Sequence, residues 1–329
     1  MLDLNRLRRI RLHRRPVAQV FLADLPMRID YNFPRRTHIE LVGVENLPRD
    51  RSVFFAMNHT DRYNYWPFQY QMHRHGGLRY TATWVKGKYY ENRLMGAFMD
   101  ATNNIPLPSR GYVLTTLFRQ ACGRVPGEAE YEALRGFTDG RLDGAQALAQ
   151  GGEGVGRWLE RLGGAAKALA GFEAHFALMM AEVTRLTRQA LTELELNVLV
   201  FPQGTRSLRL LRGHTGLMQM AQHLDVPIVP VGCNGSEHAY PGASPFSKGG
   251  HLIYRIGAPL ELDGPELGPH RVSEPFVPFS AEASARHGAA LQAATDVVMD
   301  RINALLDPQY RYDEASTGEG GSEGISRFV

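Results

Sequence analysis

A histidine stands at the end of an apolar run in FFAMNHTDRYN: His59, with Asp61 two residues on and Asn64 five residues on. Imidazole is ordinarily neutral and basic near pH 7, so at the tip of a strand it can take a proton from a hydroxyl. A base of this kind works best when another group accepts a hydrogen bond from its second ring nitrogen. Asn64 can do so through its amide oxygen, although it brings no charge to steady an imidazolium. Asp61 would bring that charge, but a spacing of two sets side chains alongside one another without making them touch. The third reading is a site that has lost catalysis. In a serine-protease triad, Asp→Asn lowers turnover by about 10⁴, so Asn64 as orienter predicts a slower enzyme.

The second constellation is FPQGTRS, residues 201–207. Gly204 lets the backbone turn sharply and expose N–H groups, and Arg206 offers a fork of donors matched to phosphate. Gln203, Thr205 and Ser207 would shape that cradle. The bland alternative for Arg206 is a salt bridge that closes a loop. Two further cations are candidate phosphate contacts: Arg110 in IPLPSRG, where a structural ion pair is an equal alternative, and Lys86 in WVKGK, where solvation is. His73, His75, His214, His223, His238 and His251 lack the spacing of a helix-borne or loop-borne zinc site, so neither metal nor cofactor is expected. Ser207 has no nucleophile-elbow context, which argues against a serine hydrolase. Tyr63, Tyr65 and Trp66 read as packing for the turn that follows the histidine.

These residues need elements to hold them. HIELV and the buried run before His59 read as strands, as do RYTATWV, NVLVF, VPIVPVG and HLIYRIG. Helical stretches alternate with them, from Trp66 to about His75 and from about Ala281 to Leu306. The pattern predicts an α/β fold with a mixed, largely parallel sheet flanked by helices. Ligands in such sheets bind beyond the carboxyl ends of strands, where His59 and the 201–207 turn both fall.

Between the cradle and Arg110 runs a further periodic stretch. Trp158, Leu162, Ala165, Leu169, Phe172, Phe176, Met179, Val183, Leu186 and Ala190 alternate four and three apart, the spacing of a single helical stripe. Gly163, Gly164 and Gly171 threaten to break it, each costing about 1 kcal/mol against alanine. The stripe predicts packing inside the protein, with self-association into a homodimer or an acyl-chain lid as alternatives. The organisation expected is therefore a basic segment over 1–37, an α/β domain over 38–312 with a helical insertion at about 125–195, and a disordered tail over 313–329, where EASTGEGGSEGIS is too polar to fold.

Composition narrows the classes. The chain has 329 residues, 43% of them hydrophobic, and a formal net charge of +3. No apolar run approaches the roughly 20 residues of a spanning helix. The two cysteines, Cys122 and Cys233, suggest no disulfide framework, and the N-terminus has arginines where a secretory signal needs apolar residues; both point to the cytoplasm. Arg6, Arg8, Arg9, Arg11, Arg14 and Arg15 beside Leu4, Leu7, Ile10 and Val17 could meet an anionic membrane surface. Against this, only Lys86, Lys88, Lys167 and Lys248 are lysines, which suggests that arginine is simply the default cation. No long basic face with interleaved aromatics follows, so nucleic acid is not an expected partner.

Taken in order, NHTDRYN, an arginine at 110, FPQGTRS and VPIVPV resemble the glycerolipid acyltransferase family, the 1-acylglycerol-3-phosphate acyltransferase-like enzymes, over about His38 to Pro259. Asn64 stands where the family's motif has Asp, and Gln203 where it has Glu. The resemblance implies transfer of a fatty acyl group from a CoA or carrier-protein thioester to the hydroxyl of a lysophosphatidate-like lipid, at the cytoplasmic face of a membrane. His59 would be the base, and Arg206 with Arg110 would hold phosphate. The rival is a non-catalytic relative that binds lipid or a partner protein. Both departures delete a negative charge, which suggests a more positive site than in the family at large and a preference for more anionic acceptors.

Overall fold

The computed structural model describes residues 2–312. The tail expected over 313–329 lies outside the described residues. The chain forms two compact units: a smaller one from the chain up to Arg11, Val85–Asp100 and Asn104–Thr187, and a larger one from Leu12–Trp84, Ala101–Asn103 and the chain from Arg188 onward.

The strands are β1 (Thr37–Val42), β2 (Phe54–Met57), β3 (Thr81–Lys86), β4 (Asn104–Leu107), β5 (Asn197–Val200), β6 (Ile228–Asn234) and β7 (Gly250–Ile256). β4 belongs to the smaller unit, and β3 passes into it at Val85. Across the larger unit the sheet runs β1-β7-β6-β2-β5-β3. β2 is parallel to both β5 and β6, β3 to β5 and β1 to β7, while β6 and β7 are antiparallel. The expected mixed, largely parallel α/β sheet is therefore present. Every residue of β2, β5 and β6 is buried, and apart from Asn197 opening β5 and Asn234 closing β6 these strands read as apolar runs.

Phe55 on β2 meets Phe68 of the helix Tyr65–His75 edge to face, with ring centroids 5.3 Å apart. Both are fully buried, each burial contributing roughly 1.5–3 kcal/mol. This contact fixes where the helix begins, and so fixes the turn between β2 and that helix, which carries His59 and Asn64.

In the smaller unit the long stripe is carried by two helices, Gly144–Arg161 and Ala165–Arg188. They part at Gly163 (φ 82°) and Gly164 (φ 99°), left-handed conformations that glycine adopts without steric strain. Trp158, Phe172, Phe176, Met179, Val183 and Leu186 are buried, whereas Leu162, at the break, is 36% exposed.

The apolar residues named beside the N-terminal arginine run divide: Val17 is 75% exposed. Leu7 and Ile10 are buried in the protein and cannot be the apolar side of a lipid contact. Arg6 is paired with Asp100 and Arg8 with Glu182, both within the smaller unit. The exposed apolar face lies further along, on the continuous helix formed by Val17–Leu22, a π turn over Ala23–Met27 and Arg28–Asp30. Pro26 lies inside the π turn; it has no N–H to donate, and the wider turn gives its ring room.

Candidate active site

β2 ends at Met57, and the next residue anchors the turn. The Asn58 side chain donates from Nδ2 to the Cys233 carbonyl at 2.9 Å and accepts the Cys233 N–H at 2.7 Å, clamping the tip of β2 to β6. His59 follows, half-buried, its ring stacked on Phe201 with centroids 4.0 Å apart and planes 17° from parallel. Nothing in a residue-by-residue reading marks Asn58 or Phe201 as support for the histidine, although both belong to the two motifs.

The imidazole Nδ1 lies 3.1 Å from Asn64 Oδ1. Asn64 is fully buried, and its Nδ2 donates to the Asn58 carbonyl at 2.8 Å. The amide is thereby held with its oxygen toward the ring. An amide oxygen only accepts, so Nδ1 carries the proton and Nε2 carries the lone pair, the tautomer a general base needs. The Asn64 carbonyl in turn accepts the Tyr254 hydroxyl at 2.7 Å, fixing the backbone beneath the ring.

Asp61 is engaged differently. Its carboxylate accepts the Tyr63 N–H at 2.8 Å and the Thr60 hydroxyl at 3.0 Å. Burial raises its pKa above the ordinary carboxylate value, against the lowering effect of these hydrogen bonds.

The 201–207 turn is tied directly to the histidine. Gln203, 1% exposed, accepts the His59 N–H through Oε1 at 3.3 Å and donates from Nε2 to the Thr205 carbonyl at 2.8 Å. The Ser207 N–H donates to the His59 carbonyl at 2.9 Å. Gly204 has φ +67°, and a Cβ there would sit 2.9 Å from the His214 ring. Thr205 is half-buried and Arg206 exposed. Gln203 thus serves as a buttress that needs both a donor and an acceptor, a role a carboxylate could fill only in part.

Arg206 shares a cleft of about 230 Å³ with Thr60, Asp61 and Arg62, the residues that follow His59, and with Glu237 and Tyr240 to Ala243. Two arginines and two acids therefore line it, so deleting charge at positions 64 and 203 does not make this cleft one-sidedly positive.

Arg110 and Lys86 belong to the smaller unit. Arg110 donates to Glu173 Oε2 at 3.0 Å and to the Thr138 carbonyl at 2.7 Å, and its guanidinium lies over the Phe172 ring at 4.8 Å. Glu173 is the main cause of a raised Arg110 pKa. These contacts are those of a structural ion pair. Lys86 is exposed at the end of β3.

Comparison with known proteins gives one family match: residues 158–234 fit the model described as Acyltransferase. That stretch contains FPQGTRS and VPIVPV and begins well after His59. No curated protein matches. Among solved structures, the chain is similar to the 1-acyl-sn-glycerophosphate (LPA) acyltransferase, PlsC, from Thermotoga maritima, at 15% identity and a TM-score of 0.43, covering 87% of this chain and 79% of that one. A likeness at that level assigns no residue a role.

Proposed function

We propose that this chain, whose segment 158–234 fits the Acyltransferase family model, transfers a fatty acyl group from a CoA or carrier-protein thioester to the hydroxyl of a lysophosphatidate-like lipid. The observation that carries this reading is the oriented imidazole: Asn64 fixes the His59 tautomer while Gln203 and Ser207 tie the same residue to the turn bearing Arg206. A thioester is already activated, so no protein nucleophile is required. His59 Nε2 takes the acceptor's hydroxyl proton as the oxygen attacks the thioester carbonyl, and the thiol leaves with a proton as the tetrahedral intermediate collapses. Arg206 holds the acceptor's phosphate, with Gly204, Thr205 and Ser207 shaping the turn. The cleft is smaller than the ~300–1,000 Å³ typical of drug-sized ligands, which suits a glycerol phosphate head group with its acyl chain left outside.

Where that chain would lie is suggested by the exposed helix. Val17 (75% exposed), Phe21, Leu25 and Ile29 recur every four residues, and Phe33 follows. In a regular α-helix such a row drifts by about 40° per step, and the wider π turn at Ala23–Met27 brings it back, keeping one stripe. Arg28, Arg35 and Arg36 are exposed beside it, as are Phe246 and Lys248 on the loop after the cleft. That loop is joined to the end of the helix: the Ser247 N–H donates to Asp30 at 3.0 Å, and the cleft residue Tyr240 donates to the Tyr31 hydroxyl at 2.9 Å. Apolar side chains rimmed by cations match an anionic lipid surface. Among the described residues no helix is long and apolar enough to cross a membrane. On this reading the chain works as a peripheral protein at the cytoplasmic face.

The test is a purified-protein assay with labelled acyl thioester and a panel of lysolipids. Wild type should acylate phosphate-bearing acceptors, and His59→Ala should lose about 10²–10⁴ in turnover while retaining lipid binding. The neutral partner Asn64 favours one rival, a lipid-binding protein without turnover; binding without acylation by wild type would select it.

A further inference from the structure

On β1 and β7 two imidazoles and a carboxylate meet on one exposed face. The parallel register sets His38 opposite His251, and Glu40, two residues along β1, shares the face of His38 because side chains alternate along a strand. The two imidazole centroids are 4.8 Å apart, and His251 Nε2 lies 3.2 Å from Glu40 Oε2. One candidate ligand atom from each of the three lies within 4.8 Å of the others, and all three residues are exposed. This site goes beyond the acyl-transfer reading and shares no residue with it.

We propose that His38, Glu40 and His251 bind a divalent transition metal of the zinc class. Tetrahedral zinc with bonds of about 2.0–2.1 Å places its ligand atoms roughly 3.3–3.4 Å apart. The His251–Glu40 distance already matches that spacing, and His38 needs only a small side-chain rotation, which an exposed side chain makes freely. Two imidazoles and one carboxylate suit zinc, copper or nickel, whereas magnesium and calcium call for oxygen ligands. Three protein ligands leave a fourth position for water. Bound there, the ion ties β1, at the end of the sheet, to its only neighbour among the described strands, β7. The competing arrangement is a cross-strand His251–Glu40 hydrogen bond with no ion.

Isothermal titration of the untagged full chain with zinc chloride tests this, with magnesium as the control ion. One saturable zinc per chain is expected, with no response to magnesium. His251→Ala, His38→Ala and Glu40→Gln should each weaken zinc binding at least about tenfold, while the exposed His75→Ala should leave it unchanged. Zinc should also raise the midpoint of thermal unfolding in wild type and not in His251→Ala, a readout that checks the variants' folding at the same time. Absence of saturable zinc binding by wild type overturns the proposal, as does binding of equal affinity in the His38→Ala and His251→Ala variants.

Discussion

His59 Nδ1 and Asn64 Oδ1 lie 3.1 Å apart, and the Asn64 amide is held in that orientation by its donation to the Asn58 carbonyl at 2.8 Å. Asparagine here satisfies a donor on one side and an acceptor on the other. Aspartate could do only the first when ionised, because its second oxygen would face a carbonyl oxygen inside the core. Asn64→Asp is therefore expected to lower stability by about 1–3 kcal/mol, even though it gives His59 a charged partner. Chemical denaturation measures this, and a variant more stable than wild type would refute the argument.

The same logic applies to Gln203. Its Nε2 donates to the Thr205 carbonyl and its Oε1 accepts the His59 N–H. Gln203→Glu keeps the acceptor and loses the donor, turning a carboxylate oxygen toward Thr205. We expect a stability loss of about 1–3 kcal/mol and a slower turnover, since the turn beside His59 loosens. Unfolding curves and acyl-transfer rates compared with wild type check it; unchanged values for both would mean that the buttress is dispensable.

Asp61 makes stability depend on pH in a defined direction. Its folded-state pKa is raised by burial, so the native state holds this proton more tightly than the unfolded chain does. Stability then falls as pH rises from the unfolded value of about 3.9 through the folded one. Asp61→Asn removes the titration while keeping an acceptor for the Tyr63 N–H. The stability of Asp61→Asn relative to wild type should therefore increase between pH 4 and pH 7. A flat or opposite trend in paired unfolding curves would show that the buried carboxylate carries no such penalty.

The exposed stripe predicts lipid binding that can be separated from catalysis. Phe21 and Leu25 are 57% and 51% exposed, so replacing both by glutamate should leave folding intact. Wild type should float with phosphatidylcholine vesicles containing phosphatidylglycerol, and the Phe21→Glu/Leu25→Glu variant should bind at least about tenfold less, given roughly 1 kcal/mol for each favourable charge near the surface and more for each buried apolar side chain. If the variant instead dissociates a solution dimer and binds vesicles as wild type does, the stripe belongs to a second copy of the chain.

Much of this protein is legible in its sequence because strands buried on both faces must be largely apolar. β2, β5 and β6 announce themselves in this way, and polar residues placed directly after such runs have to emerge at strand ends. That is why NHTDRYN and FPQGTRS could be set at one edge of an α/β sheet from the order of residues alone. The glycine pair at 163–164 likewise marked the place where the long stripe divides, since left-handed backbone is strained for other residues.

Residue types could not say which group faces which. Asp61 and Asn64 were both candidate partners for His59, and the choice rests on a turn that folds Asn64 back beneath the ring and on an amide pinned by Asn58, contacts set by packing of the helix Tyr65–His75 on β2. Leu7 and Val17 read alike as apolar letters beside arginines, yet one is buried and the other faces solvent, because burial is decided by what the rest of the chain places over a residue. His38 and His251 look scattered along the chain; only the parallel register of β1 on β7 puts them side by side. Local sequence determines the period and polarity of each element, while register and docking between distant elements determine which side chains share a site.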